Sequence, residues 1–179
     1  VQGILRSIRG QRSGGPNRIP GHAFNKLAQE LSMPLTAIFS LAIEKGTFPK
    51  QWKQGRVVPV AKTKPAALDP QAYRPITLLD IESKCLEKEL VSRLGQWALL
   101  EQGQFGFCKG LGTRDSLFAF QHYVGRECER GTKTLVVISL DAQRAFDSLR
   151  FKALDEELQR RNVPIPLLRM VRSFLEGRN

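Results

Sequence analysis

The sequence predicts a helix-rich α/β (α+β) fold, and three observations carry that reading. Apolar residues recur at helical spacing through most of the chain, two Val- and Ile-bearing runs near residues 56–62 and 73–79 have strand length, and Thr134–Leu140 is an uncharged β-branched run. In order, Arg6, Arg9, Arg12 and Arg18 with the turn-prone Ser13-Gly14-Gly15-Pro16-Asn17 read as a basic, loosely structured and flexible lead-in over residues 1–14 and just beyond. Phe24, Leu27, Ala28 and Leu31 form a first helical stripe. Ser32 suits the cap of a second helix, Pro34 its start, Leu35, Ile38, Phe39, Ala42 and Ile43 its stripe, and Gly46 its stop. Arg56–Lys62 reads as a strand with a basic tip and Tyr73–Leu79 as an extended piece in which Pro75 marks an edge. A helix is expected over Ile81–Leu99, with Leu86, Leu90, Leu94 and Trp97 on its apolar side.

The stretch Gly103–Gly112 is punctuated by glycine and carries Gln104-Phe105-Gly106-Phe107. A helix follows over Thr113–Glu129, with Leu117, Phe120 and Val124 expected inward. Thr134–Leu140 is expected as a strand buried on both faces that ends abruptly at Asp141. Phe151–Arg161 and Pro166–Glu176 are helical by spacing, with Asp147 or Ser148 suited to cap the first.

Composition narrows the function. Twenty-eight Lys and Arg against 17 Asp and Glu give a net charge of +11 and a pI near 10.1, which points to a polyanionic partner, nucleic acid above all. The excess is lopsided: residues 1–64 hold 11 basic and 2 acidic side chains, so the contact face is expected there. No run approaches the ~20 apolar residues of a spanning helix, and no signal peptide is read at the N-terminus. The three cysteines, Cys85, Cys108 and Cys128, form no Cys-x-x-Cys pair and fit a reducing compartment; nucleus and cytoplasm are both compatible. His22 and His122 lie near no Ser or Cys nucleophile in sequence, which gives a hydrolytic triad little support.

A carboxylate at the end of a buried strand is a fixed oxygen ligand of the kind a hard cation such as Mg²⁺ prefers, which makes Asp141 a candidate metal ligand. The alternative is a turn aspartate that satisfies only backbone N–H groups. Asp147 either joins it or caps the following helix.

Six ordered blocks bear on that choice: Gly15-Pro16-Asn17-Arg18-Ile19-Pro20, Gly46-Thr47-Phe48-Pro49-Lys50-Gln51-Trp52-Lys53, Val57-Val58-Pro59-Val60-Ala61-Lys62, Tyr73-Arg74-Pro75-Ile76-Thr77-Leu78-Leu79, Gln104-Phe105-Gly106-Phe107 and Asp141-Ala142-Gln143-Arg144-Ala145-Phe146-Asp147. Together they resemble the blocks of a non-LTR (LINE-type) retrotransposon reverse transcriptase, over nearly the whole chain. The resemblance implies right-hand polymerase fingers over residues 15–130 and an incomplete palm over 131–179. It implies that Asp141 is the first catalytic aspartate and, with the Ala142 carbonyl, a ligand of two Mg²⁺ ions. It implies that Lys62, Arg74 and the backbone N–H groups of Arg144 and Ala145 hold a deoxynucleoside triphosphate, with Phe146 under its sugar. An ammonium on a strand tip and a bidentate guanidinium suit a polyphosphate.

The implied partners are an RNA template and a DNA primer. Arg18, Lys53, Arg56, Gln104 and Lys109 are expected to touch nucleic acid, while Phe105 and Phe107 either stack on a base or, as favoured here, fill a core. Cys108 stands where the family usually has Arg, and Asn17 where it usually has Asp. The 179 residues hold no Tyr-x-Asp-Asp or comparable pair, so the fragment is expected not to polymerise alone. The competing expectations are a non-catalytic module that binds RNA or a hybrid, and a decayed reading frame whose product does not fold stably.

Overall fold

The structure, a computed structural model, describes residues 1–8, 14–62, 69–97, 102–142, 145 and 148–177. Seven α-helices and two strands are assigned among them, besides two short 3-10 turns: α1 (Gln2–Arg6), α2 (Gly21–Lys26), α3 (Ala28–Lys45), β1 (Gly55–Ala61), β2 (Tyr73–Leu79), α4 (Ile81–Leu94), α5 (Thr113–Glu129), α6 (Phe151–Arg160) and α7 (Ile165–Leu175). The result is a mixed fold, rich in helix with one small sheet. It divides into two compact units, residues 1–97 with 150–179, and residues 98–149.

The first unit holds the core. Leu5, Phe24, Leu35, Phe39, Phe48, Ile81, Leu86, Leu90, Leu167, Leu168 and Met170 are buried in one cluster drawn from α1 to α4 and α7. The helical spacing of Leu35, Phe39 and Ala42 explains the buried face of α3. That helix runs unbroken through Pro34, so Ser32 caps nothing; its hydroxyl donates to the Gln29 carbonyl, 2.8 Å. Gly46 stops α3 in the left-handed region, φ 62°, and the Thr47 N–H returns to the Ala42 carbonyl, 2.9 Å. Phe48, fully buried, then meets Phe174 of α7 edge-on at 5.0 Å, and its N–H donates to the Ser173 hydroxyl, 2.9 Å.

Helices α6 and α7 are tied by a two-pronged pair, Arg172 Nε and Nη2 to the Asp155 carboxylate at 2.6 and 2.8 Å. Hydrogen bonding from Arg172 holds the Asp155 carboxyl below the usual carboxylate range. On Glu157 the same effect comes first from Arg161.

Several expectations are corrected. The opening residues are helical, with Leu5 and Ile8 buried, because two apolar side chains one turn apart dock into the core. Helix α4 ends at Leu94, and Arg150 occupies the N-cap of α6 while the Ser148 hydroxyl donates to the Ala145 carbonyl, 3.3 Å. Arg9, Arg12 and Asp147 lie outside the described residues.

In the second unit α5 forms where expected yet buries no residue: Leu117 is 57% and Phe120 45% exposed, and Val124 is half-buried. The larger correction concerns Thr134–Leu140, which forms no strand and is open to solvent, Ile138 being 78% exposed. A strand exists by pairing, and the one sheet among the described residues is β1–β2.

Candidate polyanion interface

Strands β1 and β2 form an antiparallel ribbon with Gly55 opposite Leu79, Val60 opposite Arg74 and Ala61 opposite Tyr73. One step further out, the Lys62 N–H donates to the Ala72 carbonyl, 2.8 Å. Hydrogen-bonded and non-hydrogen-bonded pairs alternate along such a ladder, so 56/78, 58/76, 60/74 and 62/72 share the bonded phase. The directly opposed Pro59 and Pro75 therefore fall in the other phase, where neither lacks an N–H that its partner needs. This is how a strand pair carries two prolines.

The same alternation sorts side chains onto faces. Arg56, Val58, Val60 and Lys62 share one face with Ile76, Arg74 and Leu78; Val57, Pro59, Thr77, Pro75 and Tyr73 take the other. Lys62 and Arg74 are diagonal neighbours, with Cβ atoms about 7 Å apart on such a ladder. Both are exposed, as is Arg56 on the same face, about 14 Å from the Arg74 level at four residues of rise and about 20 Å from Lys62 at six. Three candidate cations are thus gathered on one side of an exposed ribbon.

The ribbon's packing is chiefly strand on strand, and its two legs are fixed at their roots. Ahead of β1, Trp52 packs edge-on against Phe39 at 5.8 Å, and Lys53 Nζ gives one of its three donors to the Glu176 carbonyl at 3.1 Å. After β2, Asp80 accepts from the Asn17 N–H at 3.0 Å, and Glu82 accepts from the Asn17 side-chain amide at 3.2 and 3.3 Å. Sequence reasoning missed Asp80 and Glu82. They lie more than 60 residues from their partner, and the signal nearest to them, an Asp before a helix, reads only as an N-cap. Arg18 is exposed in the left-handed region at φ 58°.

The remaining candidates belong to the second unit. Asp141 and Ala142 are exposed and adjacent. A carboxylate and a carbonyl are hard oxygen donors of the kind Mg²⁺ takes, but among the described residues no group of three or more His, Cys, Asp or Glu forms a metal cage. The donors are right in kind and too few for an ion pair of +4. Ala145 is exposed; Arg144 and Phe146 lie outside the described residues. Gln104 bends back on its own loop, Nε2 to the Gly106 carbonyl at 3.0 Å, and Lys109 is exposed. Phe105 is half-buried, whereas Phe107 is 93% exposed at φ 62°, so the core role favoured for Phe107 does not hold: its left-handed backbone swings the ring into solvent.

No helix among the described residues is long and apolar enough to cross a membrane. Comparison with known proteins gives a family. The profile described as reverse transcriptase (RNA-dependent DNA polymerase) matches residues 60–179. The chain is 27% identical over 182 aligned residues to the RNA-directed DNA polymerase from mobile element jockey of Drosophila melanogaster, covering 99% of this chain and 20% of that protein. It is 30% identical over 153 residues to a Pol polyprotein from the type-1 retrotransposable element R1 of Bradysia coprophila, covering 83% of the chain and 15% of that protein. A similar match, 28% over 174 residues, covers 90% of the chain and 19% of the probable RNA-directed DNA polymerase from transposon X-element of Drosophila melanogaster. The chain thus spans about a fifth or less of these relatives, and by that profile over residues 60–179 and these matches it belongs to the reverse transcriptase family of non-LTR retrotransposons.

Proposed function

We propose that the chain is the fingers and first palm segment of an RNA-directed DNA polymerase, and that its ribbon grips phosphate. The carrying observation is the placement of Arg56, Arg74 and Lys62 on one exposed face. Two long basic side chains whose Cβ atoms are about 7 Å apart on one face of a strand pair bring two flexible cations within reach of the same polyphosphate. The family blocks assign an incoming deoxynucleoside triphosphate to Lys62 and Arg74 in the first unit and to Arg144, Ala145 and Phe146 in the second. Contacts to an RNA template and DNA primer are assigned to Arg18 in the first unit and to Gln104 and Lys109 in the second, where Phe107 offers an exposed ring to a base.

Asp141 and the Ala142 carbonyl supply part of a divalent-metal site; when bound, Mg²⁺ neutralises charge on the reacting phosphates. With one carboxylate at that position the 179 residues bind nucleic acid and do not extend a primer. Anisotropy titration of a labelled oligoribonucleotide tests the grip: Lys62→Ala with Arg74→Ala weakens binding, and Asp141→Ala hardly changes it. Unchanged affinity in the double variant overturns the reading. Primer extension that Asp141→Asn abolishes shows that the chain is catalytically sufficient and contradicts the second half of the proposal.

A further inference from the structure

We infer that Asn17 is a positioning residue for the ribbon, acting through Asp80 and Glu82; this inference rests on the phosphate-gripping role proposed for that ribbon. The ribbon makes its main contacts within itself, so its aim is set at its roots. The root after β2 is held by a compact clasp. Within residues 14–19 the Arg18 N–H donates to the Gly15 carbonyl at 3.1 Å, and the Ile19 N–H to the Asn17 side-chain oxygen at 3.0 Å, an Asx turn that places the Asn17 amide outward. That amide reaches both oxygens of Glu82, and the Asn17 N–H reaches Asp80, the residue next to the Gly55–Leu79 pair that closes the ribbon.

Glycine is required at two consecutive positions on the 14–19 side of this contact. A Cβ on Gly15 falls inside the Leu79–Asp80 peptide, and one on Gly14 falls on the backbone of Arg18 and Ile19, so the clasp lies backbone against backbone on the strand exit. Both glycines are buried while the residues they present, Asn17 and Arg18, are exposed.

The chemistry of position 17 follows from its neighbours. Two carboxylates face it, and a neutral side chain that donates from one end and accepts at the other satisfies both Glu82 and the Ile19 N–H. An aspartate there keeps the turn and loses the donor, setting a third carboxylate against Glu82. Asn17 and Glu82 are therefore a matched pair: the donor at one position selects the acceptor at the other, and reversing both restores the contact.

The test is anisotropy titration of a fluorescein-labelled oligoribonucleotide with the wild type, Asn17→Asp, Glu82→Gln and the double variant, each first checked for its fold by circular dichroism. Asn17→Asp weakens binding about fivefold, the equivalent of one like-charge contact at close range in water. Glu82→Gln stays near the wild type because its amide oxygen still accepts. The double variant returns close to the wild type because the amide introduced at position 82 donates to the carboxylate introduced at position 17, a rescue that loss of general stability does not predict. If Asn17→Asp does not fold, Asn17→Ala takes its place, with about half that loss in free energy. Wild-type affinity in the folded position-17 variant, or no rescue of a folded Asn17→Asp by Glu82→Gln, overturns the inference. If Lys62→Ala with Arg74→Ala is itself silent, the ribbon's phosphate role fails instead.

Discussion

Replacing Arg56, Lys62 and Arg74 together by alanine removes three cations that the strand register puts on one face. Each phosphate contact on a single strand contributes about 0.7 to the slope of log affinity against log salt, so the triple variant loses about 2 from that slope. Between 50 and 200 mM salt, a fourfold change, each lost contact corresponds to roughly a 2.6-fold change, and three to about 18-fold. The wild-type advantage is therefore large at low salt and shrinks by about that factor across the range. The assay is oligoribonucleotide anisotropy at several salt concentrations, with Lys152→Ala as the control, since Lys152 sits on α6 beside Glu156 at 3.8 Å. A folded triple variant with the wild-type slope, or an equal loss in the control, refutes the argument.

Other outcomes follow from the fold. Phe48→Ala, at a fully buried ring packed on Phe174, destabilises by about 3–5 kcal/mol in urea unfolding, with the midpoint lowered. Gly46→Ala costs at least about 1 kcal/mol, because φ is 62° and a Cβ meets the stem of Arg169, which the same unfolding curve reads. The Asp155 carboxyl is held below its ordinary 3.8 by Arg172, so the pair's stability is present above that pH and is lost as pH falls through the folded value. Asp155→Asn therefore lowers the thermal midpoint at neutral pH, and the gap to the wild type closes on acidification. Ile138→Lys, in an apolar run open to solvent, reduces light scattering on concentration without moving the first unit's unfolding transition.

What could be read in the sequence was local. Gly46 as a helix stop and the stripe Leu35, Phe39 and Ala42 depend on neighbours within a turn or two, and both appear as read. Pro75 marked β2, but its tolerance depends on facing Pro59 across the ladder, a register that propensity does not carry. Thr134–Leu140 shows the limit from the other side: a β-branched composition states what a strand prefers, while the strand itself needs a neighbour. The site divides in the same way. Lys62 and Arg74 were visible as basic residues in matching blocks, and the structure adds that they are diagonal neighbours. Asp80 and Glu82 were invisible, because a contact across more than 60 residues leaves no periodic trace.

The most direct measurement is an NMR titration of the isotope-labelled chain with a deoxynucleoside triphosphate, following side-chain signals on both ribbon faces. The account predicts that Arg74 and Lys62 shift together, with Val60 between them, while Val57 and Thr77 on the opposite face stay in place. Shifts centred on the Val57 face, or on α6 and α7 with the ribbon silent, contradict it.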